Sequence, residues 1–473
     1  MAVKQAAQST RSIRSETVDE IRGILRGELL VEGDGGYDSA RRVWNSMIDK
    51  HPAMIARCTG TADVVAAVNF ARSHDIELAV RGGGHNVAGN AVIDDGLMID
   101  LSPMKGIHVD PVRQTARAQA GATWGDLDHE TQLHGLATPG GVVSSTGIAG
   151  FTLAGGMALT RRKWGLACDN LISVEVVTAA GQVVVASEKQ NSDLFWAILG
   201  GGGNFCVVTS FEYHLHPIGP GFYVAAPMYP IEDTARILRE WTAFIEQAPD
   251  EISSDVIPWT VPPHPQIDPE LVGVPIVLVV GAYVGSPEDA ERELQPLREF
   301  GSPIVDLSHH ARYVDIQSAF DSYFPDTQRY YWKSLNLREL SSDAIDLIAE
   351  LGADTPTAKS LFALRALGGA MSRIPEDATA YGDRGALYNL SIDTTWDDPA
   401  DDEKMIAWTR DAWSKIHDLT GGGVYLNFAG LGEDNDNLAR GAYGRNYERL
   451  QEVKRRYDPD NLFRGNVNIT PGD

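Results

Sequence analysis

Cysteine is scarce in this chain: its 473 residues include only three, Cys58, Cys168 and Cys206. They lie far apart and form no C-x-x-C pair, which argues against a zinc ribbon or a thioredoxin-type redox site. An odd number of cysteines is typical of buried thiols in a reducing compartment. We therefore expect free thiols and no bound metal.

Long apolar runs are also missing. No stretch approaches the roughly 20 consecutive apolar residues that a membrane-spanning helix needs. The first 20 residues, "MAVKQAAQSTRSIRSETVDE", are polar and lack the apolar centre of a secretory signal. The sequence therefore predicts a cytoplasmic protein with no membrane partner.

Positively charged residues are much fewer than negatively charged ones. The 40 Lys and Arg residues, only 10 of them Lys, face 65 Asp and Glu, so the net charge is −25. Such an acidic surface disfavours binding to nucleic acid or to anionic membranes. Two explanations stay open: solubility alone, or adaptation to high salt, where screening removes the self-repulsion of the surface.

Glycine, in contrast, is concentrated in three loops, at 82–84, 140–156 and 200–203. Glycine-rich loops bring backbone N–H groups close to anions, and phosphate is the usual ligand. No Gly-Lys-Ser/Thr follows any of them, and no convincing G-x-G-x-x-G opens a helix, so a P-loop and a Rossmann site are disfavoured. One such loop alone indicates a tight turn, but three in one domain favour a large phosphate-bearing cofactor.

The order of elements predicts two domains. Residues 61–74 read as a helix capped by Thr61, 76–80 as a strand leading into the first glycine loop, and 171–187 as a hairpin. Between about 220 and 420 the glycine runs stop, and strands and helices alternate in an α+β manner. After residue 423 the sequence again resembles that of the first part. We expect a first domain of residues 1–217 that is completed by 423–473, with a second domain, 218–422, inserted between them.

Together these motifs resemble FAD-linked oxidases of the vanillyl-alcohol-oxidase type, in the branch of berberine-bridge-like and oligosaccharide oxidases. The resemblance covers nearly the whole chain and rests on "RGGGHN", "GGVVSSTGIAG", "GLACDNL", "DLFWAILGGGGNFCVVTSFEYHLHP", "YLNFAG" and "YGRNYERLQEVKRRYDPDNLFRGNVNI". It implies an α+β, two-domain FAD-binding fold of the PCMH type. In that fold a discontinuous FAD domain carries an inserted substrate domain built on an antiparallel sheet with helices.

The resemblance also implies how FAD is held. His85 matches the histidine that is bonded covalently to the flavin 8α position, and Val143 stands where many members carry a second, cysteinyl link, so we expect attachment through His85 alone. Thr146 falls near the position that tunes oxygen access. The expected cofactor-binding residues are Arg81, Gly82, Gly83, Gly84, His85, Asn86, Gly89, Gly141, Val143, Ser144, Ser145, Thr146, Gly147, Gly150, Gly155, Val207, Asn466 and Asn468.

Tyr425 and Asn427 in "YLNF" resemble the family's Y-x-N motif. Read as a strand, the motif points both side chains to one face, and the resemblance places that face opposite the flavin with Tyr425 as the base. The alternative is a buried, hydrogen-bonded tyrosine. The segments 329–334 and 385–396 are candidate pocket walls, in which Tyr388, Leu390 and Ile392 belong either to the core or to the site. Tyr388 and Asp393 are the next candidates for the base.

The implied activity is oxidation of an alcohol, a sugar, or a hydroxylated or amine-bearing carbon of a small molecule, with O2 as the electron acceptor and H2O2 as product. We expect a monomer or small homo-oligomer. Three alternatives stay open: a dehydrogenase that uses another acceptor, an NADPH-dependent reductase of the same fold, and a catalytically silent flavin-binding protein.

Overall fold

The computed structural model describes residues 15–219 and 222–472, so most of the polar N-terminal stretch lies outside the described residues. Two sheets build the first part of the chain. The first has four strands in the order Glu28–Leu30, Met54–Arg57, Leu97–Asp100 and Leu78–Arg81, of which the last three are parallel. The second is antiparallel, in the order Ile107–Asp110, Thr115–Gln119, Cys206–His214, Leu171–Thr178 and Val183–Ser187. A short pair, Leu136–Ala137 with His216–Pro217, follows.

The helices of this part are Ser15–Ile24, Tyr37–Arg41, Thr61–His74, Trp124–Gln132, Ile148–Leu153, Arg161–Trp164 and Ser192–Ile198. The predicted helix 61–74 is confirmed, and its Val64, Val68 and Ala71 are buried on one face. Its N-cap, however, is Gly60 and not Thr61, whose hydroxyl instead donates to Glu175 at 2.7 Å. The predicted hairpin 171–187 is confirmed by the pairing of its two strands.

The central part of the chain forms one large antiparallel sheet. Its main path runs Val305–Asp306, Pro227–Pro230, Pro275–Tyr283, Ile252–Thr260, Leu361–Ala366, Tyr388–Trp396 and Arg329–Leu337, with Phe222–Ala225 and His309–Ala311 at one side. The helices Thr234–Ile245, Ser342–Ala353 and Asp402–Thr420 pack on it and share an apolar core with it. Shorter helices are Ala290–Leu294, Tyr313–Gln317 and Ala370–Arg373.

The C-terminal helices Asn435–Tyr443 and Tyr447–Tyr457 return to the first part, because Leu450, Phe463 and Ile469 belong to its hydrophobic core. The α+β class and the inserted antiparallel sheet are therefore confirmed. The boundaries at 217 and 422 stay a prediction, and Pro220 lies outside the described residues. Within 15–219 and 222–472, no helix has the length and apolar character needed to cross a membrane.

Two glycine loops touch through their backbones. A Cβ atom placed on Gly83 would lie 2.3 Å from the nitrogen of Gly147, and one placed on Gly147 would lie 2.3 Å from the nitrogen of Gly83. Real Cβ atoms essentially never approach other atoms so closely. The two loops can therefore pack together only because neither residue has a side chain.

A buried lysine joins the C-terminal segment to the third glycine loop. Lys454 is fully buried, and its Nζ donates to Asp458 Oδ2 at 2.6 Å, to the Asn204 carbonyl at 2.7 Å and to the Phe463 carbonyl at 2.8 Å. Asp458 also accepts from the backbone of Leu462 and Phe463. All three Nζ donors thus have acceptors, which offsets the cost of burying the charge.

Gly83→Ala should destabilise the protein by at least about 1–3 kcal/mol, the usual cost of overpacking. The added methyl group meets backbone atoms of Gly147, which cannot move without displacing the second loop. The measurement is urea unfolding of the purified holoprotein. Gly441→Ala is the matched control, because a Cβ there would meet no atom of the described part of the chain within 4 Å. Equal stability of the two variants would contradict the contact.

Lys454→Met should cost about 3–5 kcal/mol, as expected when one partner of a buried ion pair is removed and the other stays buried. Thermal unfolding checks this. Lys415→Met is the control: Lys415 forms the same i,i+4 pair, with Asp411 at 2.7 Å, but on the surface. Its melting temperature should stay near that of the wild type. If both substitutions lowered the melting temperature by a similarly small amount, Lys454 would not stabilise the third glycine loop.

Candidate active site

A cavity of about 430 Å³ lies between the glycine loops of the first part and the large central sheet. Its floor includes all three predicted loops, and its roof includes residues from five neighbouring strands of the sheet. The roof strands are Pro275–Tyr283, Ile252–Thr260, Leu361–Ala366, Tyr388–Trp396 and Arg329–Leu337. The site thus forms where the two parts of the chain meet.

His85 lies on this floor and is held on three sides. Its ring stacks on Trp44 with the ring centres 4.9 Å apart, Nε2 is 2.8 Å from Ser145 Oγ, and Nδ1 is 3.4 Å from Thr146 Oγ1. Desolvation lowers the pKa of the imidazole to about 4. His85 is therefore neutral at pH 7, so one of its ring nitrogens is unprotonated and carries the lone pair that a nucleophile requires.

The loop that carries Ser145 and Thr146 is fixed from the central part of the chain. Asp321 accepts from the Ser144 backbone N–H at 2.7 Å and from the Ser144 hydroxyl at 2.5 Å. The Thr146 carbonyl also accepts from the Trp124 N–H at 2.9 Å. These bonds hold in place the two hydroxyl groups that face the imidazole.

The floor fits a phosphate-bearing cofactor. Gly83, Gly84 and His85 line the cavity, and among the described residues their backbone N–H groups donate to no protein acceptor. On the opposite side Gly203 faces Asn466, whose Nδ2 donates to the Gly203 carbonyl at 3.1 Å. Successive free N–H groups in a glycine loop are the usual partners of a pyrophosphate, so the residues present suit FAD.

Most of the predicted cofactor residues line this cavity: Gly82, Gly83, Gly84, His85, Asn86, Gly141, Val143, Thr146, Gly147, Gly150, Val207 and Asn466. The others stand behind it. Arg81 forms a two-bond ion pair with Asp100, and Gly155 packs against the Tyr381 ring with a φ of +107°. Gly89, also with positive φ, packs on Ile48. Asn468 pairs through its backbone with the Asn435 side chain.

Tyr425 and Asn427 come together, but not as predicted. The strand assumed for "YLNF" is wrong: Leu426–Phe428 is a 3-10 turn, which brings the Asn427 Nδ2 within 2.8 Å of the Tyr425 hydroxyl. Asn427 lines the cavity, whereas Tyr425 is only 1% exposed and lies outside its lining. A 3-10 turn forms here because Phe428 N–H bonds back to the Tyr425 carbonyl.

The Tyr425 oxygen is surrounded by donors. It accepts from the backbone N–H groups of Gly156 at 3.2 Å and Met157 at 3.0 Å, in addition to Asn427. Burial raises the pKa of the phenol, and these three hydrogen bonds only partly oppose that shift. The arrangement fits a tyrosine that anchors the 154–157 loop, and its role as the base stays a prediction.

Two carboxylates of the roof strands line the cavity, Asp255, which is paired with Arg161, and Asp393. Asp393 is 3% exposed, its Oδ1 has no hydrogen-bond partner among residues 15–219 and 222–472, and its Oδ2 lies 4.0 Å from the Arg365 guanidinium. Burial raises the pKa of this carboxyl to about 6, although Arg365 and Ser391 oppose the shift. Such a group titrates near neutral pH, as a general base should.

The alternation of side chains along the strand Tyr388–Trp396 explains which face of the predicted wall 385–396 forms the site. Asp393 lines the cavity, and Asn389 and Ser391 on the same face bind Arg365, whose Nη1 is 2.8 Å from Ser391 Oγ. The other face, Tyr388, Leu390 and Ile392, is core beneath the helices, with Tyr388 against Trp241. Tyr388 was therefore wrong as a candidate base.

Aromatic side chains complete the cavity. Of the predicted wall 329–334, Trp332 lines it and makes edge contacts with Trp44, Phe324 and Phe428, whose ring centres are 5.4–5.7 Å away. Trp44 and Arg365 also line the cavity, and the sequence did not predict either of them as a site residue. Arg365 had a visible signal, as a charged residue at the end of the apolar run "LFAL".

Comparison with known proteins agrees with this geometry. Residues 52–187 match the family described as FAD binding domain, and residues 424–470 match the one described as berberine and berberine like. An FAD-linked oxidoreductase of Dictyostelium discoideum is 30% identical over 463 residues, covering 97% of each chain. The (R)-6-hydroxynicotine oxidase of Paenarthrobacter nicotinovorans is 29% identical, over 94% of this chain and 97% of that protein.

The fold is shared with a solved relative. The crystal structure of 6-hydroxy-D-nicotine oxidase from Arthrobacter nicotinovorans superposes with a TM-score of 0.83 at 27% identity, covering 95% of this chain and 98% of the other. Both sequence and fold therefore agree with the glycine loops and the cavity described above. The chain belongs to the family of FAD-linked oxidoreductases with a berberine-like C-terminal segment.

Proposed function

We propose that the chain is an oxidase that holds FAD covalently through His85 and oxidises an alcohol or amine-bearing carbon of a small molecule. The observation that carries the proposal is the arrangement of His85 and Asp393 on opposite sides of one cavity. When bound, FAD supplies the two-electron acceptor, and O2 takes those electrons to form H2O2. The relative named (R)-6-hydroxynicotine oxidase supports oxidase chemistry.

The attachment is supported by the state of His85. The imidazole is neutral, and Trp44 and Ser145 limit its rotation. No cysteinyl link is expected, because Val143 occupies the position that the resemblance assigns to the second link. Cys206 also lines the cavity, but burial raises the pKa of its thiol far above neutral, which suppresses the thiolate.

Asp393 is the better candidate for the base. Oxidation of a CH–OH group to C=O releases two electrons and two protons, and the hydroxyl proton needs an acceptor inside the cavity. Asp393 lines the cavity and its Oδ1 has no hydrogen-bond partner among the described residues, whereas Tyr425 lies outside the lining and its hydroxyl has three donors. Tyr425 then positions Asn427, and with it this part of the cavity wall, through the hydrogen bond between them.

The flavin should stay with the protein after acid precipitation, and the flavin-bearing peptide should contain His85. His85→Ala should release the flavin into the supernatant. His216→Ala is the control: burial lowers the pKa of His216 to about 4 as well, but His216 does not line the cavity. A soluble flavin from the wild-type pellet, or a cysteine adduct in the peptide, would contradict single attachment through His85.

Asp393→Asn should slow anaerobic flavin reduction by about 10²–10⁴-fold, the usual contribution of a general base. Because the Asp393 pKa is about 6, the wild-type rate should rise with pH through about 6, and the variant should lose this rise. Stopped-flow absorbance measures both.

Tyr425→Phe is the companion variant. It leaves three N–H groups without their acceptor, so it should lower the melting temperature while keeping most of the reduction rate. The opposite pattern, with Asp393→Asn within threefold of wild type and Tyr425→Phe inactive but stable, would assign the base to Tyr425.

A further inference from the structure

The charged side chains that line the cavity differ in how they are paired. Within residues 15–219 and 222–472 they are Arg161, Asp255, Arg365, Asp393 and Glu433. Arg161 forms an ion pair with Asp255, and Glu433 Oε2 accepts from Lys333 Nζ at 2.7 Å. Arg365 and Asp393 are not bonded in this way, because Nη2 and Oδ2 are 4.0 Å apart, too far for a hydrogen bond.

Arg365 keeps donors that a ligand can reach. Its Nη1 donates to Ser391 Oγ at 2.8 Å, which fixes the guanidinium, whereas Nε and Nη2 donate to no acceptor in the described part of the chain. Neither atom is among the fully buried atoms that lack a partner, and the side chain is 17% exposed. The same is true of Asp393 Oδ2, whereas Oδ1 is fully buried. Accessible donors of Arg365 therefore lie beside an accessible acceptor of Asp393.

A carboxylate is the ligand group that suits this guanidinium. The N–H donors of arginine form a planar fork that matches the two oxygens of a carboxylate, and such charge-assisted hydrogen bonds are roughly twice as strong as neutral ones. The bond from Nη1 to Ser391 holds the fork in place before a ligand arrives. Less side-chain freedom is then lost on binding, which favours affinity.

The short distance between the two groups indicates where the substrate carries its own polar groups. Because Arg365 Nη2 and Asp393 Oδ2 are only 4.0 Å apart, the two groups that bind them must lie close together on one molecule. A carboxylate and a hydroxyl on adjacent carbons meet this condition. The carbon that bears the hydroxyl also carries the C–H bond that oxidation breaks.

The other walls of the cavity are aromatic. Trp44, Phe324 and Phe428 pack around Trp332 with ring centres 5.4–5.7 Å from it, and all four residues line the cavity. Burial of an apolar substituent against these rings is favourable. The many hydroxyl groups of a sugar would lose their hydration there without replacement. The remaining substituent of the hydroxyl-bearing carbon is therefore apolar.

We propose that the substrate is a 2-hydroxy carboxylic acid with an apolar side chain, whose carboxylate binds Arg365 and whose hydroxyl binds Asp393. This inference rests on the proposed function, in which Asp393 takes the hydroxyl proton. The C–H hydrogen leaves as a hydride, with both electrons, to the two-electron acceptor, and the product is a 2-oxo acid. Asp393 is then neutral, and the carboxylate of the product keeps the buried charge of Arg365 paired, which avoids the cost of an isolated charge.

Titration calorimetry of the holoenzyme tests the carboxylate site without turnover. The probes are phenylacetate, which carries the carboxylate, and 2-phenylacetamide, its uncharged counterpart of nearly the same shape. Neither probe has a hydroxyl group that could be oxidised. Phenylacetate should bind at least tenfold more tightly than the amide. Equal affinities, or no detectable binding of phenylacetate, would overturn the inference.

Two uncharged variants test Arg365 itself. Arg365→Met keeps the aliphatic part of the side chain, and Arg365→Gln also keeps a donor for Ser391; in both, the two probes should bind within twofold of each other. Arg338→Met is the matched control, because Arg338 lies just after the strand Arg329–Leu337 and does not line the cavity. Its tenfold preference should remain. Melting temperature and flavin content show that each variant is folded, and a tenfold preference in either folded Arg365 variant would overturn the inference.

Turnover separates this inference from the proposed function. Mandelate and its methyl ester differ in the charge of the carboxyl group beside the reacting CH–OH carbon, and mandelate should reduce the flavin at least tenfold faster at low concentration. If phenylacetate binding depends on Arg365 but no alcohol reduces the flavin, the oxidase proposal fails and the carboxylate site stands. If benzyl alcohol or the ester reduces the flavin as fast as mandelate and phenylacetate shows no preference, the oxidase proposal stands and the specificity fails.

Discussion

The contact between Gly83 and Gly147 is the constraint on which the site depends. Each residue occupies the space where the other's Cβ would be, so the first and second glycine loops can meet only without side chains. Because they meet, His85, two residues after Gly83, lies against Ser145 and Thr146, two residues and one residue before Gly147. The glycines therefore serve the packing of two loops as well as access to the backbone by a phosphate.

Parts of the chain that are distant in sequence stabilise this arrangement. Asp321 from the central part holds Ser144 in the second loop, and Lys454 from the C-terminal segment holds Asn204 beside the third. Both contacts join a glycine loop to a residue that is distant in sequence. The floor of the cavity therefore has these hydrogen bonds only when the central part and the C-terminal segment pack against the first part.

The roof follows a different physical rule, the alternation of side chains along a strand. In Tyr388–Trp396 one face enters the apolar core beneath the helices, and the other carries Asn389, Ser391 and Asp393 towards the cavity. The polar face holds Arg365 in place. The positive charge of Arg365 in turn partly opposes the rise that burial causes in the pKa of Asp393. A single strand thus supplies both the stability of the sheet and the chemistry of the site.

Features that depend on neighbouring residues could be predicted from the amino-acid sequence. Helix 61–74, the hairpin 171–187 and the three glycine loops follow from local periodicity and backbone freedom, and the order of the motifs indicated FAD and the inserted domain. Only the three-dimensional packing shows that Tyr425 lies behind the wall, that Asp393 and Trp332 line the cavity, and that Trp44 stacks on His85. Those outcomes depend on strand register and on contacts between residues hundreds of positions apart, which local sequence patterns do not encode.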